Sequence, residues 1–171
     1  AVQSEDTVPA LYLPIAIIKE KTLYLDTFYP EIVKKYPQPD DKQQVKGLLP
    51  FYIRKVGTHY VSAFPIITPI LALPIYLVAS AFVDITLWEN LMIVSHAASS
   101  MIVALSAGLF FLLLAKRLFV RRKLAFMVTF VYVFATISFP LVSQSLWQHG
   151  TIQLFSIAFL YFLLGYKHGH N

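Results

Sequence analysis

From Leu91 to Ala115 the chain carries no Asp, Glu, Lys or Arg. Wound as a helix, that stretch is about 37 Å long, against roughly 30 Å for the hydrocarbon core of a bilayer. It reads as a membrane span. Two further runs without acidic or basic side chains follow it, Leu124 to Leu146 and Thr151 to Tyr166. Only 13% of the residues are charged and 57% are hydrophobic, whereas a soluble domain carries about 25% charge. The expectation is an all-α, polytopic membrane helical bundle with spans near 91–115, 124–146 and 151–166.

Charge then orients the bundle. Lys116, Arg117, Arg121, Arg122 and Lys123 fall between the first two runs, and clustered cations mark the cytoplasmic side. Trp147-Gln148-His149-Gly150 and the polar break at 84–90 would then lie on the far side. The net charge of +5 does not suggest nucleic acid, because the cations gather at membrane edges. The absence of Cys excludes disulfides, thiolate nucleophiles and cysteine metal sites.

Residues 1–60 form the polar part and read as an external loop. Val8, Leu11, Tyr12, Ile15 and Ile18 fall near helical spacing and predict an amphipathic juxtamembrane helix lying flat on the membrane. Thr7 or Asp6 can cap it, Pro9 suits its first turn, and Pro14 would bend it. Thr22 to Phe28 reads as an extended or loop segment, and 30–50, with four prolines, as a solvated loop. Residues 61–83 are uncharged but hold Pro65, Pro69 and Pro74, which predicts a proline-broken juxtamembrane or re-entrant helix. A crossing there would put loop 1–60 in the cytoplasm. The non-crossing reading leaves Asp6 and His149 on one outer face. Both chain ends read as cut, so a fragment lacking at least one earlier span is expected.

The chemistry-bearing candidates sit at membrane edges. Glu5 and Asp6 are adjacent carboxylates, either a first-turn cap stabilised by the helix dipole or a general base. Trp147 and His149 form either an aromatic-belt turn or a phosphate-binding pair. His59 and Tyr60, with Arg54 and Lys55, lie where the loop returns to the membrane. Asp26 is flanked by Leu25 and Phe28, Asp40-Asp41 reads as a solvated turn, and His168 and His170 as incidental. His96, among Ser95, Ser99 and Ser100, reads as an interhelical hydrogen-bonder. No phosphate loop, metalloprotease helix or nucleophile elbow is present, so nothing supports nucleotide hydrolysis or proteolysis. A transporter is disfavoured because no charge lies mid-span.

Three segments, EDTVPALYLPIAIIKEKTLYLDTF (Glu5–Phe28), GTHYVSAFPIITPILALPIYL (Gly57–Leu77) and FATISFPLVSQSLWQHG (Phe134–Gly150), resemble in their order and spacing the N-terminal third of bacterial GT-C membrane glycosyltransferases. The nearest group is related to dolichyl-phosphate-mannose protein mannosyltransferases. The resemblance implies a plasma-membrane enzyme, loop 1–60 periplasmic, that uses a polyprenyl-phosphate sugar donor. Asp6 would stand at the catalytic acid's place with Glu5 beside it, and His149 and Trp147 near the donor phosphate or lipid. Such enzymes have more spans than this chain. The expected function is inverting sugar transfer, with Asp6 as base and His149, His59, Arg54 and Lys55 steadying the leaving phosphate. No cofactor is required, although a divalent metal is compatible with the acidic pair. The alternative is a non-catalytic subunit of a larger membrane assembly.

Overall fold

The computed structural model describes residues 4–35 and 49–168. It is mostly helical, and two helices are long and apolar enough to cross a membrane. Helix α4 (Trp88–Leu112) continues through a π turn, Leu113–Arg117, and helix α6 spans Gln148–His168. Helix α4 begins three residues earlier than the uncharged run because Asp84 organises its approach. The Asp84 carboxylate accepts the Thr86 N–H (3.0 Å) and hydroxyl (2.7 Å), and its carbonyl accepts the Asn90 amide (2.9 Å). This Asx turn consumes half of the expected polar break and delivers the rest to the first helical turn.

Helices α4 and α6 run parallel, offset by about half of α4. A Cβ on Gly150, in the first turn of α6, would lie 3.4 Å from Ile102 and 2.9 Å from Val142, and Gly165 lies against the Arg117 guanidinium. Gly150 therefore permits a close approach that no other residue allows without displacement. Both helices advance 15 residues between these contacts, roughly 23 Å. Ser95, Ala98, Ser99, Ile102 and Ser106 form the buried face of α4, and small residues of this kind let helix backbones approach.

The second expected span, 124–146, is not one helix. Helix α5 ends at Phe134 after starting at Arg122. Its 13 residues rise about 20 Å, and turns over 135–147 complete the return to α6. The local chemistry explains the break. Thr136 Oγ1 bonds the Tyr132 carbonyl (2.5 Å) and the Ser138 hydroxyl (2.9 Å), and accepts the Ser138 N–H (3.2 Å). Pro140 has no N–H to continue a ladder. Hydropathy registers the missing charge in this stretch but not the competing hydroxyls.

Before α4, the fold departs further from expectation. Helix α1 (Val8–Ile15) is not amphipathic on a surface; Val8, Leu11, Tyr12, Leu13, Ile15 and Ala16 are all buried. It packs on helix α3 (Ile67–Ser80), whose Ala72 and Tyr76 belong to the same core. Two residues after Pro14 the ladder widens to a π turn, Ala16–Glu20, closed by Lys21 at φ 57°. In α3, Pro65 lies outside the helix and Pro69 in its first turn, where a missing N–H costs nothing. Pro74 alone stands inside. The expected broken segment is thus one helix of 14 residues, about 21 Å long.

Residues 22–28 form bends and turns, and a short helix α2 (Tyr29–Lys35) occupies the start of the expected loop. The remainder of that loop, with Asp40 and Asp41, lies outside the described residues, as does His170. The all-α expectation is corrected by an antiparallel hairpin, β1 (Ile53–Val56) and β2 (His59–Ser62), in register Ile53↔Ser62 to Val56↔His59. Its two-residue turn puts Gly57 at φ 62°, a conformation that glycine adopts without strain. Val56-Gly57-Thr58-His59, flanked by Ile53 and Val61, is the sequence signature that announces it.

Candidate functional site

Asp6 sits in a 3-10 turn, Glu5–Thr7, that leads into α1. The turn is closed by the Thr7 N–H and hydroxyl, which both bond the Ser4 carbonyl (2.9 and 2.7 Å). The buried Ser145 hydroxyl bonds Thr7 Oγ1 at 3.1 Å, joining positions 138 residues apart. That link sets Asp6 beside the chain entering α6. Asp6, Thr7, Phe64, Trp147, Gln148, His149 and Ile152 line a cleft of about 200 Å³. The Trp147 and His149 rings are stacked with centroids 6.0 Å apart. Trp147 Nε1 is buried and has no hydrogen-bond partner among the described residues.

Neither carboxylate caps a helix: the 3-10 turn and α1 both lack a side-chain capping bond, and Thr7 occupies the cap position of α1. Glu5 is raised above the ordinary carboxylate range, first by desolvation and then by the neighbouring Asp6 charge. A close pair of acids of which one holds its proton more tightly is an arrangement suited to acid–base chemistry.

Beside the cleft lies an apolar groove of about 390 Å³ between the start of α3 and the first turns of α6. Pro65, Ile67, Ile152 and Phe155 line it, and Gln148 and Ile152 belong to both cavities. At the groove a buried hydrogen bond, Thr68 to Thr151 at 2.8 Å, ties α3 to α6. A polar end and an apolar extension side by side match an amphiphile.

His59, Tyr60, Arg54 and Lys55 do not line this cleft. They lie on the hairpin, where His59 and Tyr60 hold Asp26 instead. Asp26 Oδ2 contacts His59 Nδ1 at 2.6 Å, and its Oδ1 accepts the Tyr60 N–H at 2.7 Å. Those bonds hold the Asp26 carboxyl below its usual range, the Tyr60 N–H contributing most and His59 next. Tyr24 stacks on His59 (4.0 Å), Tyr29 on Tyr60 (3.7 Å), and Lys55 lies over the Tyr60 ring at 5.7 Å. Arg54 turns back to the Phe51 carbonyl (3.2 Å). Leu25 and Phe28 are buried on either side of Asp26, so this cluster fastens residues 24–29 to the hairpin.

The interhelical role expected of His96 belongs to its neighbours: Ser99 and Ser100 donate to the Ser143 carbonyl at 2.8 and 3.3 Å. Among the described residues no group of three or more His, Asp or Glu could hold a metal ion. Thr7, Ser145, Phe64, Gln148 and Ile152 are the site-forming residues that sequence reasoning missed. Gln148, inside the polar Trp147–Gly150 boundary, and Thr7, expected only as a cap, were the two with a local cue. Comparison with protein-family models, curated proteins and solved structures finds no match for this chain.

Proposed function

We propose that this chain is the amphiphile-binding part of an integral membrane glycosyltransferase that takes its sugar from a polyprenyl-phosphate donor. The observation that carries the reading is the shared boundary of cleft and groove: Asp6, His149 and Trp147 meet in a cleft of mixed polarity whose neighbour through Gln148 and Ile152 is largely apolar. The donor's phosphate and sugar occupy the cleft, and the first isoprene units lie along Ile67, Ile152 and Phe155. Depth is consistent with this. The cleft opens about 23 Å along α4 and α6 from Arg117, near the interface opposite the basic turn of a bilayer with a core of roughly 30 Å. The basic turn is cytoplasmic and the cleft external in this reading, with α3, too short to cross, at the outer interface.

In the transfer step Asp6 accepts the proton of an acceptor hydroxyl as its oxygen attacks the anomeric carbon. The new C–O bond forms while the bond to the lipid phosphate breaks, inverting the carbon. The Trp147 N–H, the Gln148 amide and His149 supply donors for the departing phosphate. Arg54, Lys55, His59 and Tyr60 have no part in the step.

The test is transfer of radiolabelled sugar from polyprenyl-phosphate sugar by the reconstituted full-length protein and its Asp6→Ala variant. Loss of at least about a hundredfold is expected for removal of a general base; undiminished transfer sinks the assignment. Donor binding by the parent with no transfer to any acceptor would favour the non-catalytic subunit of a larger assembly.

A further inference from the structure

Every Asp and Glu of the sequence lies at or before Glu89, so the cations of the turn 116–123 belong to a half of the chain with no acid at all. The ion pairs among the described residues, Lys19–Asp84, Lys35–Glu31 and His59–Asp26, all lie elsewhere. Arg117 is the exception to the general exposure: its guanidinium covers the Tyr161 ring at 4.4 Å and fills the notch left by Gly165. Lys116, Arg121, Arg122 and Lys123 are exposed and form no ion pair among the described residues. Four unneutralised charges on eight residues repel one another and call for an anionic counterpart.

Helix α5 begins inside this turn and continues as an aromatic stripe. Phe126, Phe130 and Phe134 recur at every fourth residue and are 64%, 54% and 51% exposed, so they share one face. A narrow strip of the helix is used internally, with Ala125 buried, Tyr132 against Phe110 at 4.8 Å and the Tyr132 hydroxyl on Gln153 at 3.2 Å, while the exposed Leu124, Met127 and Val131 widen the apolar surface beside the stripe. A basic base and an apolar shaft, about 12 Å from Phe126 to Phe134, follow each other in the order of a phospholipid's phosphate and acyl chain.

We infer that the basic turn and the outer face of α5 form a binding surface for an anionic phospholipid of the leaflet next to the turn. Its phosphate lies among Lys116, Arg121, Arg122 and Lys123, and an acyl chain along the phenylalanine stripe. The charge decides the occupant. A zwitterionic lipid would cover the stripe but leave the cations unneutralised, and a free phosphate would leave the stripe uncovered. The surface uses no residue of the Asp6 cleft, so it stands apart from the sugar-transfer reading.

The test is lipid retention by the purified full chain in detergent, measured by native mass spectrometry against equal amounts of phosphatidylglycerol and phosphatidylcholine with identical chains. Each cation near an anionic headgroup is worth about fivefold in affinity at low salt. The parent should retain phosphatidylglycerol over phosphatidylcholine by about a hundredfold or more, since four such factors multiply to roughly 600. The variant R121Q/R122Q/K123Q, which keeps Lys116, should bring that ratio down to about fivefold, with its helix content checked by circular dichroism. Should the triple variant not fold, R121Q alone, which lies outside the helix, should lower the ratio about fivefold. The variant F126S/F130S should weaken both lipids alike and leave the ratio unchanged. Equal retention by the parent, an undiminished ratio in the cation variants, or displacement of the lipid by inorganic phosphate alone would overturn the inference.

Discussion

Asp6 and Asp26 are both carboxylates in short turns that lead into a helix, and they are used in opposite ways. Asp26 gives both oxygens to the protein, one to the Tyr60 N–H and one to His59. Asp6 makes no capping bond; its position is set by the neighbouring Thr7, which Ser145 fixes from the far end of the chain. The lesson is that a carboxylate saturated by protein donors holds structure together. One that is positioned by its neighbours, with its own oxygens left for a cleft, is available to a ligand.

The largest effect should come from exchanging each acid for its amide. Asp6→Asn should reduce sugar transfer by about a hundredfold or more, roughly 3 kcal/mol, while Asp26→Asn should leave it within about threefold. Transfer assays on the two variants side by side check this, and equal losses would erase the distinction. Next is Gly150→Val. Its side chain must displace Val142 and Ile102, at a cost of about 1–3 kcal/mol. A lowered unfolding temperature in detergent is the readout, together with weaker donor binding, since Gly150 adjoins the cleft.

Smaller again is the effect of Thr7→Val, which removes the hydroxyl that accepts from Ser145 and donates to the Ser4 carbonyl. About 1 kcal/mol of the loss is expected from the buried Ser145 bond. A double-mutant cycle with Ser145→Ala should return coupling of similar size, and additive losses would mean that the contact does not position Asp6.

The smallest effect is a difference of sign with pH. The folded pKa of Asp26 is lowered by Tyr60 and His59, so its stabilisation is full above the unfolded carboxylate value of about 3.9 and is lost as pH falls through the lowered folded value. The folded pKa of Glu5 is raised by desolvation and by Asp6. Its contribution is full below the unfolded value of about 4.3 and is lost as pH rises through the raised folded one. Thermal unfolding followed above about pH 5 should therefore show Glu5→Gln more stable than the parent and Asp26→Asn less stable. Both shifts should stay under about 1 kcal/mol, because solvent screens partly exposed charges.

The sequence by itself determined the apolar stretches that become helices α4 and α6, since freedom from charge is a local property. The equally uncharged run 124–146 breaks at Phe134, so that property alone does not fix a continuous helix. The sequence also marked Glu5-Asp6 and Trp147–Gly150 as polar boundaries, and Asp26 as an acid between two anchoring apolar residues. Tertiary structure alone decided what these boundaries do. Whether Asp6 is a cap or an open carboxylate depends on the Thr7–Ser145 bond across 138 residues, and no window along the chain contains both partners. The spacing of Val8 to Ile18 suggested one wet face on α1, but α3, with Phe28 against Tyr12, buries it. The end of α5 at Phe134 is, by contrast, local: the Thr136 and Ser138 hydroxyls compete for the backbone there, which hydropathy does not register. Hydrophobicity adds up residue by residue, so it can be read in order. Hydrogen-bond partners and the second wall of a cleft come from elsewhere in the chain, so only the folded molecule names them.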